Sequence, residues 1–267
     1  MTDGTLETVL RRDRLVVAGA LGLIAALAWG YVLWLAADMD MGGMDMAGFR
    51  MIPAGMGIMT PANAPWKAIE FAFVFAMWAV MMVGMMLPSA APLLLLYGVA
   101  VRRQCHGLTA SRQIYALAGG YATVWALFSV GATAAQRILS ARVIVSPMMT
   151  TSHTVGAGLL IVAGVYQLTP LKLACLQKCQ SPLSVMMHRW RSGVAGAFRM
   201  GIDHGTYCLG CCWALMLLLF AGGVMNLAVI FALTAFVAFE KVGPFGAHSA
   251  RVSGALLIAA GTWMLLA

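Results

Sequence analysis

Charge is scarce in this chain. Only 10% of its 267 residues are Asp, Glu, Lys or Arg, while 62% are apolar, and a water-soluble domain of this size has too little interior to hide so much apolar side chain. Carboxylates are the scarcest, 9 against 17 basic residues, which leaves little material for acid–base chemistry. Hydrolytic triads, phosphate-cradling loops and dinucleotide fingerprints are missing, and no enzyme is expected. The +8 net charge does not indicate nucleic acid, because the basic residues fall in short tracts between apolar runs instead of covering a face. No internal repeat of the kind found in many secondary transporters is visible. Nor does a cleavage site follow the first apolar stretch, which is read as a retained helix.

What is present is a series of apolar runs, several about 20 residues long, the length that a hydrocarbon layer demands of a helix. The expected fold is all-α, a polytopic transmembrane bundle of about seven helices forming one membrane domain over residues 1–267. The expected spans are Leu15–Ala37, Ala68–Leu87, Ile114–Ala135, Val155–Leu173, Gly205–Ala221, Met225–Phe239 and Val252–Ala267. Pro88 should kink or end the second, with Ala90–Val101 continuing as an offset helix. Residues 1–14 form a cytoplasmic N-terminus and 38–67 an outer loop. An N-in, C-out orientation leaves only Arg50, Lys67, Arg137 and Arg142 outside, with every other basic residue on the cytoplasmic side. Gly119, Gly120, Gly131, Gly156, Gly158 and Gly164 are read as points of close helix packing.

Sulfur is abundant. The outer loop holds Met39, Met41, Met44 and Met46 among Asp38, Asp40 and Asp45, followed by Met51, Met56 and Met59. A polar loop gains little by burying Met, and thioether sulfur suits Cu(I) in an oxidising compartment where Cys would form disulfides. The three carboxylates would concentrate cations beside them. On the second span Met77, Met81 and Met85 recur every four residues along one face, with Met82 and Met86 beside them. Gap-filling is the ordinary role of such a stripe, but here it continues inward from the Met-rich loop.

The thiols are spaced in two helix-periodic groups. Cys175 and Cys179 lie four residues apart, and His204, Cys208, Cys211 and Cys212 stand at i, i+4, i+7 and i+8. One thiol would be a small apolar residue. Five on two helices, with an imidazole, form the ligand supply of a Cu(I) or Zn(II) site. All six cysteines, Cys105 included, fall near the cytoplasmic side in the expected topology, so structural disulfides are not expected. Asp203 is placed to orient His204. Glu240 and Lys241 are read as an interfacial pair, bonded to each other or to His248.

Three segments are similar to a bacterial family of predicted metal-binding integral membrane proteins, a domain of unknown function also described as copper-chaperone-like. They are FAMWAVMMVGMMLPS from Phe75, YQLTPLK from Tyr166 running into Cys175 and Cys179, and GTYCLGCCW from Gly205. The resemblance covers Ala68 to the C-terminus and leaves the Met-rich loop outside it. It implies a copper-handling protein of the bacterial inner membrane, involved in delivery or transport.

The metal site is therefore expected to draw on Cys175, Cys179, His204, Cys208, Cys211 and Cys212, fed by Met39, Met41, Met44, Met46, Met77, Met81 and Met85. Copper as Cu(I) is the expected ion, with zinc the alternative. The expected partners are the lipid bilayer and a copper-requiring oxidase or other cuproprotein. Two other readings are a non-catalytic subunit or assembly partner of a membrane complex, and a divalent-metal transporter.

Overall fold

A computed structural model describes residues 3–40, 49–51, 59–61, 65–105, 107–141, 153–181, 190–243 and 245–266, with short pieces between 183 and 187. Eight helices run through them: α1 (Asp3–Asp40), α2 (Ala68–Gln104), α3 (Leu108–Ala141), α4 (His153–Gln167), α5 (Pro170–Gln180), α6 (Gly193–Gly222), α7 (Leu227–Val242) and α8 (Gly246–Leu266). A minimal antiparallel pair, β1 (Phe49–Met51) and β2 (Met59–Pro61), interrupts the expected outer loop, with Met51 opposite Met59.

Among the described residues the ordered elements are all helical apart from that pair, and α1, α2, α3, α6 and α8 are long and apolar enough to cross a membrane. Helices α4 and α5 make a sixth apolar unit, bent by 67°. The expected span Val155–Leu173 therefore does not continue straight into the cysteines. Its break is local chemistry: Thr169 caps α5, its Oγ1 accepting from the Lys172 amide at 3.3 Å, and Pro170 occupies the first helical position. The expected span Met225–Phe239 is α7, only 16 residues long, capped by Asn226 accepting from the amides of Ala228 and Val229. Gly223, at φ +95°, makes the turn before it.

Of the outcomes expected at Pro88, an end is excluded and a continuation is found: α2 runs on through Pro88 and Pro92 for 37 residues, because packed neighbours sustain a helix where proline removes a backbone bond. Tyr121 of α3 donates to the Met86 carbonyl at 3.1 Å, just ahead of the first proline. Helix α6 begins at Gly193 and not at Gly205, so His204 and Asp203 lie well inside it.

Helices α3 and α6 pack along each other, as do α4 and α8, while α2 lies between α1 and α3 and touches α7. Close approach requires glycine at Gly120 and Gly201, where an added Cβ would strike the Phe198 and Leu117 carbonyls, and at Gly164, which faces Gly254. Gly131 and Gly158 face open space. Leu27, Leu127, Phe231, Leu256 and Trp263 are among the large apolar side chains that point outward, a surface matched to acyl chains. Inside, Met77, Met81, Met82, Met85 and Met86 are all buried, with Trp78 donating to Gln136 at 2.7 Å among them.

Candidate metal centre

The helical repeat of α6 turns His204, Cys208, Cys211 and Cys212 into the bundle, where all four are buried. The Cys211 and Cys212 thiols fold back on the Cys208 carbonyl, at 3.1 and 2.9 Å. That bond fixes the direction of both sulfurs. From α5, Cys179 reaches the Cys211 thiol at 3.9 Å and also interacts with Cys208. Four of the predicted ligands thus come together across α5 and α6.

Cys175 does not join them in the same way. Its sulfur lies against Gly210, where any side chain would collide with it, and Tyr166 donates to the same residue's carbonyl. Both α5 cysteines turn toward α6, but among the described residues only Cys179 comes within hydrogen-bond range of another thiol. Met77, Met81 and Met85 occupy the buried face of α2 as expected. Met39 falls in the last turn of α1, while Met41, Met44 and Met46 lie outside the described residues.

The sequence reading missed two participants. Met86, at the C-terminal end of the α2 stripe, brings its sulfur to 4.0 Å from Cys212. Lys241 is the larger surprise. It is buried, and its Nζ sits 2.9 Å from the Cys208 sulfur, 3.9 Å from Cys212, 3.7 Å from Met86 and 3.2 Å from the Ser89 hydroxyl. The Tyr121 hydroxyl completes the ring, 3.1 Å from Cys208. Hydropathy alone places a lysine at a helix end near the interface, so nothing in the local sequence separates this residue from a snorkelling one.

Glu240 pairs neither with Lys241 nor with His248. Its carboxylate accepts from Lys172 at 2.7 Å and from Gln167 at 3.1 Å, both buried, and Gln180 binds its backbone carbonyl at 2.7 Å. A carboxylate out of water demands such partners, and the clamp holds the end of α7 so that the next residue faces the sulfurs. Asp203 does not orient His204 either. It lies 3.7 Å from Arg191, whereas the His204 imidazole sits near the Tyr121 ring with Nδ1 buried and without a hydrogen-bond partner.

His204 lines a cavity of about 190 Å³ bordered by Ser89, Cys179, Gln180 and Lys241. Among the described residues no three of His, Cys, Asp or Glu already close round one point. The sulfur spacing nevertheless fits a soft ion. Metal–thiolate bonds of about 2.3 Å in a trigonal arrangement put the sulfurs about 4.0 Å apart, and the Met86–Cys212 and Cys179–Cys211 separations are 4.0 and 3.9 Å. Thiolate and thioether together are a donor set that selects Cu(I).

The family model of PpoB2, described as a copper chaperone, matches residues 75–264. The chain belongs to this family. Every sulfur of the centre falls within the PpoB2 region, from Met86 to Cys212, as does Lys241, while the Met-rich loop precedes it. No curated protein and no solved structure matches the chain. As a PpoB2 protein with several membrane-length helices, it is a copper-related protein with the build of a multi-pass membrane protein.

Proposed function

We propose that this protein binds Cu(I) inside the bacterial inner membrane and passes it to a copper-requiring oxidase or another cuproprotein. The observation that carries the reading is the convergence of Cys179, Cys208, Cys211, Cys212 and Met86 from three helices, with sulfur separations of 3.9 Å for Cys179–Cys211 and 4.0 Å for Met86–Cys212 that suit two ligands of one soft ion. A packing role explains a buried thiol, but it does not explain an imidazole with a buried, unpartnered Nδ1 and an ammonium gathered at the same place.

In this reading the loop methionines capture copper outside, and the α2 stripe carries it inward to the thiols. With the N-terminus in the cytoplasm, α5 and the first half of α6 lie toward the cytoplasmic side, where a reducing environment keeps both thiols and Cu(I) reduced. His204 and Cys179, which border the cavity, are the residues through which the ion enters or leaves the group. The sequence of ligands serves transfer, and no residue is assigned a catalytic step.

The test is elemental analysis of the full chain purified anaerobically in detergent, with X-ray absorption to distinguish sulfur from nitrogen ligands. Stoichiometric copper in a sulfur-dominated shell, lost in a Cys208→Ala/Cys211→Ala variant, is the expected result. A wild-type protein of normal stability that takes up no copper from a Cu(I) donor would falsify the reading.

A further inference from the structure

Two side-chain contacts fix how the thiol-bearing face of α6 meets α2. Met86 of α2 brings its sulfur to 4.0 Å from Cys212 of α6, and Trp78 of α2 packs against Phe220 of α6 with ring centroids 5.2 Å apart. The first pair follows the second on α2 and precedes it on α6, so the two helices run antiparallel at this face. Midway between the contacts stand Met82 on α2 and Met216 on α6, each four residues from both contact residues of its own helix and each fully buried. A spacing of four keeps a side chain on one helix face. The two thioethers therefore occupy one level between the helices, about 6 Å from the level of Met86 and Cys212.

Along this face the pairs change in a fixed order toward the start of α2: thioether with thiol, thioether with thioether, then ring with ring. Trp78 is held in place, its indole donating to Gln136 at 2.7 Å, and with Phe220 it closes the series. Neutral sulfur donors suit a soft ion and offer little to a hard one. Methionine is unbranched with three rotatable bonds, so a facing pair can turn both sulfurs toward an ion without a shift of the backbone. Gap-filling explains either residue alone, but it leaves two thioethers facing each other beside a thiol centre as a coincidence.

We propose that Met82 and Met216, together with Met86, form a second metal site, built of thioethers alone and selective for a soft monovalent cation. The inference rests on the copper reading above and extends it from one binding group to two stations on a single helix face. Met86 is the sulfur common to both, one turn from Met82 along α2 and 4.0 Å from Cys212 across the helix pair. Lacking any thiolate, the second station holds its ion less tightly than the first and empties during purification. An ion that leaves it through Met86 meets Cys212 next.

The experiment counts the Cu(I) and Ag(I) equivalents that the anaerobic full chain binds in titrations carried past saturation of the thiols. The parent chain carries Met39→Leu, Met41→Leu, Met44→Leu and Met46→Leu, which removes the outer thioethers from the count. Adding Met82→Leu/Met216→Leu, a volume-conserving change, is expected to remove one weak equivalent and leave the tight one at its parental affinity. Should that variant not fold, Met216→Leu alone is expected to weaken the same equivalent. Adding Cys208→Ala/Cys211→Ala instead is expected to remove the tight equivalent and keep the weak one, with sulfur alone around the ion in X-ray absorption. An equal count in the parent and the folded methionine variant overturns the second site and leaves the thiol centre standing. So does loss of both equivalents in the cysteine variant. A cysteine variant that keeps the tight equivalent overturns the copper reading instead.

Discussion

Replacing Cys208 by Ser removes the sulfur that meets Tyr121 at 3.1 Å and Lys241 at 2.9 Å. The serine hydroxyl can still accept from the ammonium, but oxygen is a poor ligand for a soft ion. Copper affinity should drop furthest in this variant. Tyr121→Phe, which removes a neighbour of the thiol and not a ligand, should cost about 10–100-fold in affinity. Cys175→Ser, which alters a sulfur packed on Gly210, should change affinity least. Chelator competition on the three proteins checks this order, and a Cys175 effect equal to that of Cys208 contradicts the grouping. At this scale the thiol stripe was legible, because a helical period of 3.6 puts positions 204, 208, 211 and 212 on one side whatever surrounds them. Met86 and Lys241 were not. Their roles depend on α2 and α7 arriving at the same face of α6, and no local pattern encodes which helices become neighbours.

Helix packing here depends on a few places where backbones nearly touch. Gly201→Val puts a branched side chain against the Leu117 carbonyl, and the strain should cost about 1–3 kcal/mol or more, read as a lower unfolding temperature in detergent. Thr169→Ala removes the cap of α5 and should cost about 1 kcal/mol. Because that helix carries Cys179, weaker copper binding should accompany the loss of stability. Glu240→Ala leaves the Lys172 ammonium buried without its partner, for which about 3–5 kcal/mol of destabilisation is expected. The apolar runs marked most of the elements but not their breaks. Pro88, expected to kink or end its helix, was carried through, whereas Thr169 and Pro170, inside the expected span Val155–Leu173, turned the chain by 67°. Proline at a first helical position starts a helix and proline deep in a packed one is tolerated; hydropathy does not distinguish the two.

For the molecule as a whole, the outer methionines and the buried thiols should have separable effects. Changing Met39, Met41, Met44 and Met46 together to Leu should leave the copper stoichiometry of the purified protein unchanged, because the sulfurs of the centre lie elsewhere. It should slow loading from dilute Cu(I) in reconstituted vesicles. Equal loading rates would assign the loop another role. Reporter fusions at the two termini test the N-in, C-out orientation, which the distribution of basic residues supports. The bundle architecture was the most legible feature of the chain, since composition alone excluded a watery exterior.

The ion pair between Lys172 and Glu240 has a consequence for biogenesis. Its partners belong to α5 and α7, of 11 and 16 residues, each shorter than a bilayer requires and each carrying a charge that lipid rejects by about 2.5–3.5 kcal/mol near mid-depth. The ribosome delivers α5 before α7, so Lys172 stays without its counter-charge until α6 and α7 have followed. A chain that stops at Gly223 holds Lys172 without Glu240 and is expected to be shorter-lived than the full chain, which pulse-chase of truncated chains would register.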